Sequence, residues 1–154
     1  MPHQLKYLFI VLITIFFLSS CNEDEFADWK ILNENWLEEF KALHQDEPDF
    51  FKTESGIFYK VIHQSNYTQP NSNSVIYAQY TGKLINGTTF DSGIYNQYLS
   101  QAIRGWQEGI PKMRDGAHFI FYIPAELAYG EEGQGNVPPN STLIFDIKLI
   151  KTYN

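Results

Sequence analysis

Apolar positions change their spacing three times along the chain. From Tyr7 to Leu18 they run almost unbroken. Between residues 28 and 44 they recur every three or four positions, at Trp29, Leu32, Trp36, Phe40 and Leu43. That spacing lines one face of a helix, with Asp28 as its N-cap. Packing of this stripe on its own domain is the favoured reading, because one short helix makes a weak zipper. A dimerisation or client-binding stripe is the competing one. Gln45 to Lys52, with Pro48, reads as a linker.

From Thr53 the texture becomes that of strands. Gly56–His63 is a first strand, and the polar stretch Ser65–Ser74, with Pro70 and three Asn, is a loop. Val75–Leu84 is a long strand. Asn86-Gly87 predicts a tight type I′ hairpin, returning through Thr88–Asp91. Ser92–Gln101 reads as irregular. Next comes a short helix from Ile103 to about Met113, limited to roughly two turns by Pro111. Asp115-Gly116 turns into strand His118–Ile123, which Pro124 stops. Ala125–Asn140 holds four Gly and two Pro and reads as a long loop. In the closing strand Thr142–Thr152, Leu143, Phe145, Ile147 and Leu149 share one face. The pattern predicts an α+β fold: an antiparallel sheet half-wrapped around one short helix, preceded by an N-terminal helix.

The first twenty residues are expected to be a targeting segment rather than fold. Lys6 precedes the apolar run, which has the length of a signal core and is short for a bilayer span. Leu18-Ser19-Ser20-Cys21 then resembles the bacterial lipobox, which implies cleavage before Cys21, its lipidation and a membrane anchor. Acyl chains add about 0.8 kcal/mol per buried methylene, so several on one residue hold firmly. The expected organisation is a signal peptide over residues 1–20, an acidic tether and amphipathic helix over 21–52, and one domain over 53–154. Asn22-Glu23-Asp24-Glu25 is a solvated tether; it also resembles the acidic tracts that send some lipoproteins to the outer cell surface. Asn at the position after the Cys points to the outer membrane, with the periplasmic and surface faces both open.

Composition narrows the chemistry. The formal charge is −7 and becomes −8 once Lys6 leaves with the signal, so no basic nucleic-acid footprint exists. One Cys among 154 residues excludes an intrachain disulfide framework and a paired-cysteine zinc site. His3, His44, His63 and His118 are scattered without ligand spacing, so no metal or other cofactor is expected. Twelve Phe and ten Tyr favour strands and a packed core over disorder. Trp106 by spacing alone is a core residue, as Phe90 and Phe145 would be in any sheet protein. Asp91 suits a turn bonding its own backbone, and Tyr129 suits a loop tack. Glu131-Glu132 reads as solvated loop surface.

Taken in order, five stretches change that balance. They are Tyr80-Thr81-Gly82-Lys83-Leu84, Gly87-Thr88-Thr89-Phe90-Asp91-Ser92, Ile103-Arg104-Gly105-Trp106-Gln107-Glu108-Gly109, Ile123-Pro124-Ala125-Glu126-Leu127-Ala128-Tyr129-Gly130 and Val137-Pro138-Pro139-Asn140-Ser141-Thr142-Leu143-Ile144-Phe145-Asp146. From about Gly56 to Lys151 the series closely resembles the FKBP-type peptidyl-prolyl cis-trans isomerases, and the lipobox with its helical spacer is similar to envelope-tethered bacterial members. The resemblance implies a pocket with Trp106 as floor, Tyr80, Phe90 and Phe145 as walls, Asp91 at the rim and Val137 at the mouth. It implies that the Ile103 N–H and the Tyr129 hydroxyl bind substrate carbonyls. Proline-containing polypeptides are the implied clients, and tacrolimus-like macrolides further ligands. Two departures reshape the rim. Ala102 stands where the family usually has a larger Val. The Asp91–Trp106 segment is short and lacks a Pro-Phe pair, leaving Tyr95 or Tyr98 to supply its aromatic. A non-catalytic chaperone or partner-binding module on the same fold, and a structural lipoprotein, are the other readings.

Overall fold

The computed structural model describes residues 23–154; the apolar run and the expected lipidation site Cys21 lie outside them. Helix α1 spans Glu23–His44 and so begins five residues before the expected cap, which puts Asp28 inside it. Its acidic opening is compatible with a helix, because the N-terminal dipole favours negative charge. The stripe is also rotated from the expected one. Leu32 and Leu43 are 53% and 77% exposed, while Asn33 is 1% and Leu37 5% exposed. The buried line runs Trp29, Asn33, Trp36 with Leu37, Phe40 and His44, still at helical spacing.

Six strands form one antiparallel sheet: β1 Phe50–Lys52, β2 Phe58–His63, β3 Val75–Leu84, β4 Thr89–Tyr98, β5 His118–Ile123 and β6 Leu143–Tyr153. Their spatial order is β1-β2-β5-β6-β3-β4. Two segments differ from the sequence pattern. Part of the expected linker is β1, paired with β2 from Phe50↔Lys60 to Lys52↔Phe58. Ser92–Tyr98, expected as irregular, continues β4 along β3 as far as Val75↔Tyr98. β4 is an edge strand with mostly exposed side chains, so it lacks the alternation that marks a strand with one buried face.

The hairpin at Asn86-Gly87 forms, but not as type I′. Gly87 has φ 85°, whereas Asn86 is not in the positive-φ region. Gly87 N–H donates to the Leu84 carbonyl and Leu84 N–H to the Thr88 carbonyl, each at 2.9 Å. A turn centred on Ile85-Asn86 followed by a left-handed Gly is the three-residue-loop alternative. The register then slips, Gly82 pairing with Asp91 and Lys83 with Thr89, so Phe90 is the extra residue of a bulge.

The sheet has apolar residues on both faces. On one, Phe121, Phe119, Ile123, Leu143, Phe145, Ile147 and Leu149 pack against helix α2, Arg104–Gly109, with a 3₁₀ turn, Ile110–Lys112, completing the expected two turns. Gly105 and Gly109 allow that close approach: a Cβ on Gly105 would stand 2.5 Å from Ile123 Cγ2. On the other face Phe58, Tyr122, Ile120 and Ile144 meet Leu37, Trp36 and Phe40 of α1. Phe40 lies 4.3 Å from Tyr122 and 6.1 Å from Phe58 between ring centroids. The helix therefore packs on its own domain, as favoured.

Candidate active site

Several of the residues expected to gather lie together where α2 meets the strand ends. Trp106 comes from the first turn of α2, Tyr80 from β3, Phe145 from β6, and Tyr95 from β4. The Trp106 ring is 5.2 Å from each of Tyr80, Tyr95 and Phe145, at interplanar angles of 84°, 62° and 81°. Edge-to-face packing of this kind suits the aromatic quadrupoles. Trp106 is only 4% exposed. Its Nε1 is buried without a hydrogen-bond partner among the described residues.

Above this floor is a cleft of about 360 Å³ lined by Tyr80, Asp91, Tyr95, Gln101, Ala102, Ile103, Trp106, Tyr129, Gln134 and Phe145. Tyr95 is thus the aromatic of the β4–α2 segment; it donates its hydroxyl to the Tyr98 carbonyl at 3.0 Å, and Tyr98 itself is 55% exposed. Two expected lining residues are not there. Phe90 stands behind the wall, edge-on to Phe145 at 5.6 Å and over Gly82, where a Cβ would come 2.5 Å from its Cζ. The bulge puts it there. Val137 is 5% exposed in the core, its backbone bridged to Gln134. Gln101 and Gln134 were not anticipated, since a lone Gln in a loop carries no pattern.

The rim is polar and organised. Tyr80 donates its hydroxyl to Asp91 Oδ2 at 2.6 Å, and Asp91 Oδ1 accepts the Ser92 N–H at 2.8 Å. Burial first, then the hydrogen bond and charge of Asp91, push the Tyr80 hydroxyl up to about 12. Burial, with Asp91 second, also raises Tyr129. Both therefore stay protonated donors at neutral pH. Among the described residues the Tyr129 hydroxyl makes no side-chain hydrogen bond, and the Ile103 N–H, at the α2 N-cap, donates to no backbone carbonyl. Gln107 Nε2 donates to the Ala102 carbonyl at 2.7 Å and so holds the turn that carries Ala102 and Ile103. The cleft thus offers two free donors above an aromatic floor, with Asp91 as the one charged residue lining it.

The site is an aromatic cleft set between a short helix and an antiparallel sheet. Residues 66–150 match the family model described as FKBP-type peptidyl-prolyl cis-trans isomerase, and the chain belongs to that family. It is 44% identical over 105 residues to the probable FKBP-type peptidyl-prolyl cis-trans isomerase FkpA of Neisseria meningitidis, covering 64% of this chain and 39% of the relative. It is 37% identical over 123 residues to FkpA of Aeromonas hydrophila, covering 77% and 46%. The crystal structure of FkpA from Escherichia coli superposes with a TM-score of 0.80 at 25% identity, over 99% of this chain and 73% of that one. The chain spans less than half the length of these two curated relatives.

Proposed function

We propose that the protein is a peptidyl-prolyl cis-trans isomerase acting on extended Xaa-Pro segments of folding polypeptides. The observation that carries this reading is the Trp106 floor with the free Tyr129 hydroxyl and Ile103 N–H above it. The reaction makes and breaks no covalent bond. It twists an amide through a barrier of about 18–20 kcal/mol, set by resonance. Twisting removes resonance and leaves a less polar amide. Trp106, Tyr95 and Phe145 strip water from the planar form, which favours the twisted one. The Tyr129 and Ile103 donors hold the flanking carbonyls, and they speed rotation to the extent that they fit the twisted chain better than either planar isomer. No general base or nucleophile is needed.

The same reading places the domain at a bacterial envelope. Leu18-Ser19-Ser20-Cys21 supports lipidation at Cys21, with residues 21–52 as tether and helix and the isomerase domain following; the outer membrane is the proposed destination and secreted or envelope proteins the clients. Mass spectrometry of the mature N-terminus tests this: an unmodified Cys21, or cleavage elsewhere, refutes the anchor. Tacrolimus-like macrolides are proposed as competing ligands of the same cleft, with Ala102 at the rim they would contact.

Exchange spectroscopy of cis and trans Xaa-Pro peptides, with the full chain in detergent micelles, tests the activity. The expected result is acceleration that falls by about fivefold to thirtyfold in Tyr129→Phe, the worth of one hydrogen bond of 1–2 kcal/mol. No acceleration across several residues before proline, from a folded chain, would overturn it and leave a binding module.

A further inference from the structure

We propose that α1 is a positioning element for the loop carrying Tyr129, acting through Trp29 and Asn33. The inference rests on the isomerase reading for its functional consequence, and on hydrogen bonds for its substance. Trp29 Nε1 donates to Ser141 Oγ at 2.9 Å, across 112 residues of chain, and Ser141 Oγ donates to the Pro138 carbonyl at 2.7 Å. One helical turn on, Asn33 Oδ1 accepts the Thr142 N–H at 2.9 Å, while its Nδ2 donates to the Trp29 carbonyl at 2.8 Å. Asn33 is 1% exposed, so both its polar groups are engaged at a buried joint. Lys30 and Glu131 face each other at 3.8 Å on the surface above, a pair too exposed to matter much.

These bonds grip the exit of the 125–140 loop and not its middle. Asn140, just before the gripped residues, has φ 58°, a left-handed conformation that Asn adopts more readily than other non-glycine residues. Its N–H donates to the Gly130 carbonyl at 2.8 Å, and Gly130 follows Tyr129 directly. Gly130 N–H donates to Ala125 at 2.8 Å, Gly133 N–H to the Tyr129 carbonyl at 3.1 Å, and Gln134 and Val137 exchange bonds of 2.9 Å. The loop is therefore tied into one body. Fixing Ser141 and Thr142 fixes Asn140, and Asn140 holds the peptide next to Tyr129. The route from Trp29 to Tyr129 contains only two hydrogen bonds between segments, Trp29–Ser141 and Asn140–Gly130.

Neither Trp29 nor Asn33 lines the cleft, so they are positioning residues. The test uses the full chain with Trp29→Phe, Ser141→Ala and the double variant, read three ways: amide exchange at Gly130, Gly133, Gln134 and Asn140, kcat and KM on Xaa-Pro peptides, and the urea unfolding midpoint. Losing one such hydrogen bond is expected to speed exchange at those amides by about fivefold and to lower kcat by a similar factor, with KM little changed. The double variant is expected to match Ser141→Ala alone, because both changes remove the same link. Asn33→Ala is expected to loosen the same amides. Unchanged loop exchange, or a rise shared equally by β3 and β6, or additive singles, would overturn the proposal. A wild-type chain without isomerase activity removes the isomerase reading, and the exchange pattern then decides the link by itself.

Discussion

Tyr80 and Asp91 form a 2.6 Å hydrogen bond across the β3–β4 pair, and both line the cleft. The bulge at Phe90 sets Asp91 opposite Gly82, two positions along β3 from Tyr80. Asp91→Ala removes the acceptor and the charge together. The expected outcome is a loss of about tenfold or more in kcat/KM, since a charge-assisted bond is worth about 1.5–3 kcal/mol, and an earlier tyrosinate titration for Tyr80. Asp91→Asn keeps an acceptor and removes the charge, so it should retain more activity while still shifting the titration. Absorbance titration beside the peptide exchange assay separates the two contributions.

Gly105 has no room for a side chain. A Cβ there would meet Ile123 Cγ2 at 2.5 Å and Cδ1 at 2.8 Å, and Ile123 is fully buried. Gly105→Ala should cost about 1–3 kcal/mol by overpacking and push α2, with Trp106, off the sheet. A lower urea midpoint with reduced isomerase activity is the expected result. Gly93→Ala on the edge strand is the control, because its Cβ meets nothing within 4 Å. It should be neutral or slightly stabilising.

What the sequence discloses follows from how local each cause is. The long alternating strands β3 and β6 show because a buried face imposes period two, β5 shows as a short apolar run stopped by Pro124, and Pro111 marks the end of α2 by its own chemistry. β4 hides because an edge strand has little to bury. β1 hides because three residues carry no period. The expected helical stripe passed over Asn33 because hydrophobicity guided it, whereas Asn33 is buried by a bond to Thr142, 109 residues away. The same holds in the cleft. Trp106, Tyr80, Phe145 and Tyr129 sit in recognisable stretches, but the choice of Tyr95 over Tyr98 depends on β4 being extended, and the displacement of Phe90 depends on a register slip.

The face that α1 covers yields a third prediction. Phe40 stacks on Trp36 at 5.0 Å and meets Phe50, Phe58 and Tyr122 within 6.1 Å. Phe40→Ala should destabilise the chain by about 3 kcal/mol, the usual penalty for truncating a packed Phe. Leu43→Ala, at a 77% exposed position on the same helix, should cost little. Chemical denaturation of both variants checks whether α1 unfolds with the sheet: a single shifted transition for Phe40→Ala is expected, and a separate early helix transition would contradict the docking.

Alkaline pH should weaken the fold through Tyr80 and Tyr122. Burial, with Asp91 added, pushes Tyr80 up to about 12, and burial, with Glu47's charge added, does the same for Tyr122. In the unfolded chain both titrate near 10. Between those values the unfolded state has lost protons that the folded state keeps, so the unfolded state binds fewer and stability falls as pH rises. The contribution is fully present below about pH 10 and disappears progressively up to about pH 12. Urea midpoints measured across that range should be flat at first and then drop. Tyr122 makes no side-chain hydrogen bond through its hydroxyl among the described residues, and it lies beneath α1, in the cluster of the sheet face that α1 covers and not among the residues lining the cleft. Tyr122→Phe should therefore leave stability at neutral pH nearly unchanged and make the alkaline fall shallower, with isomerase activity intact. An equally steep fall in that variant would show that Tyr122 keeps its ordinary titration and that the α1 interface is open to water.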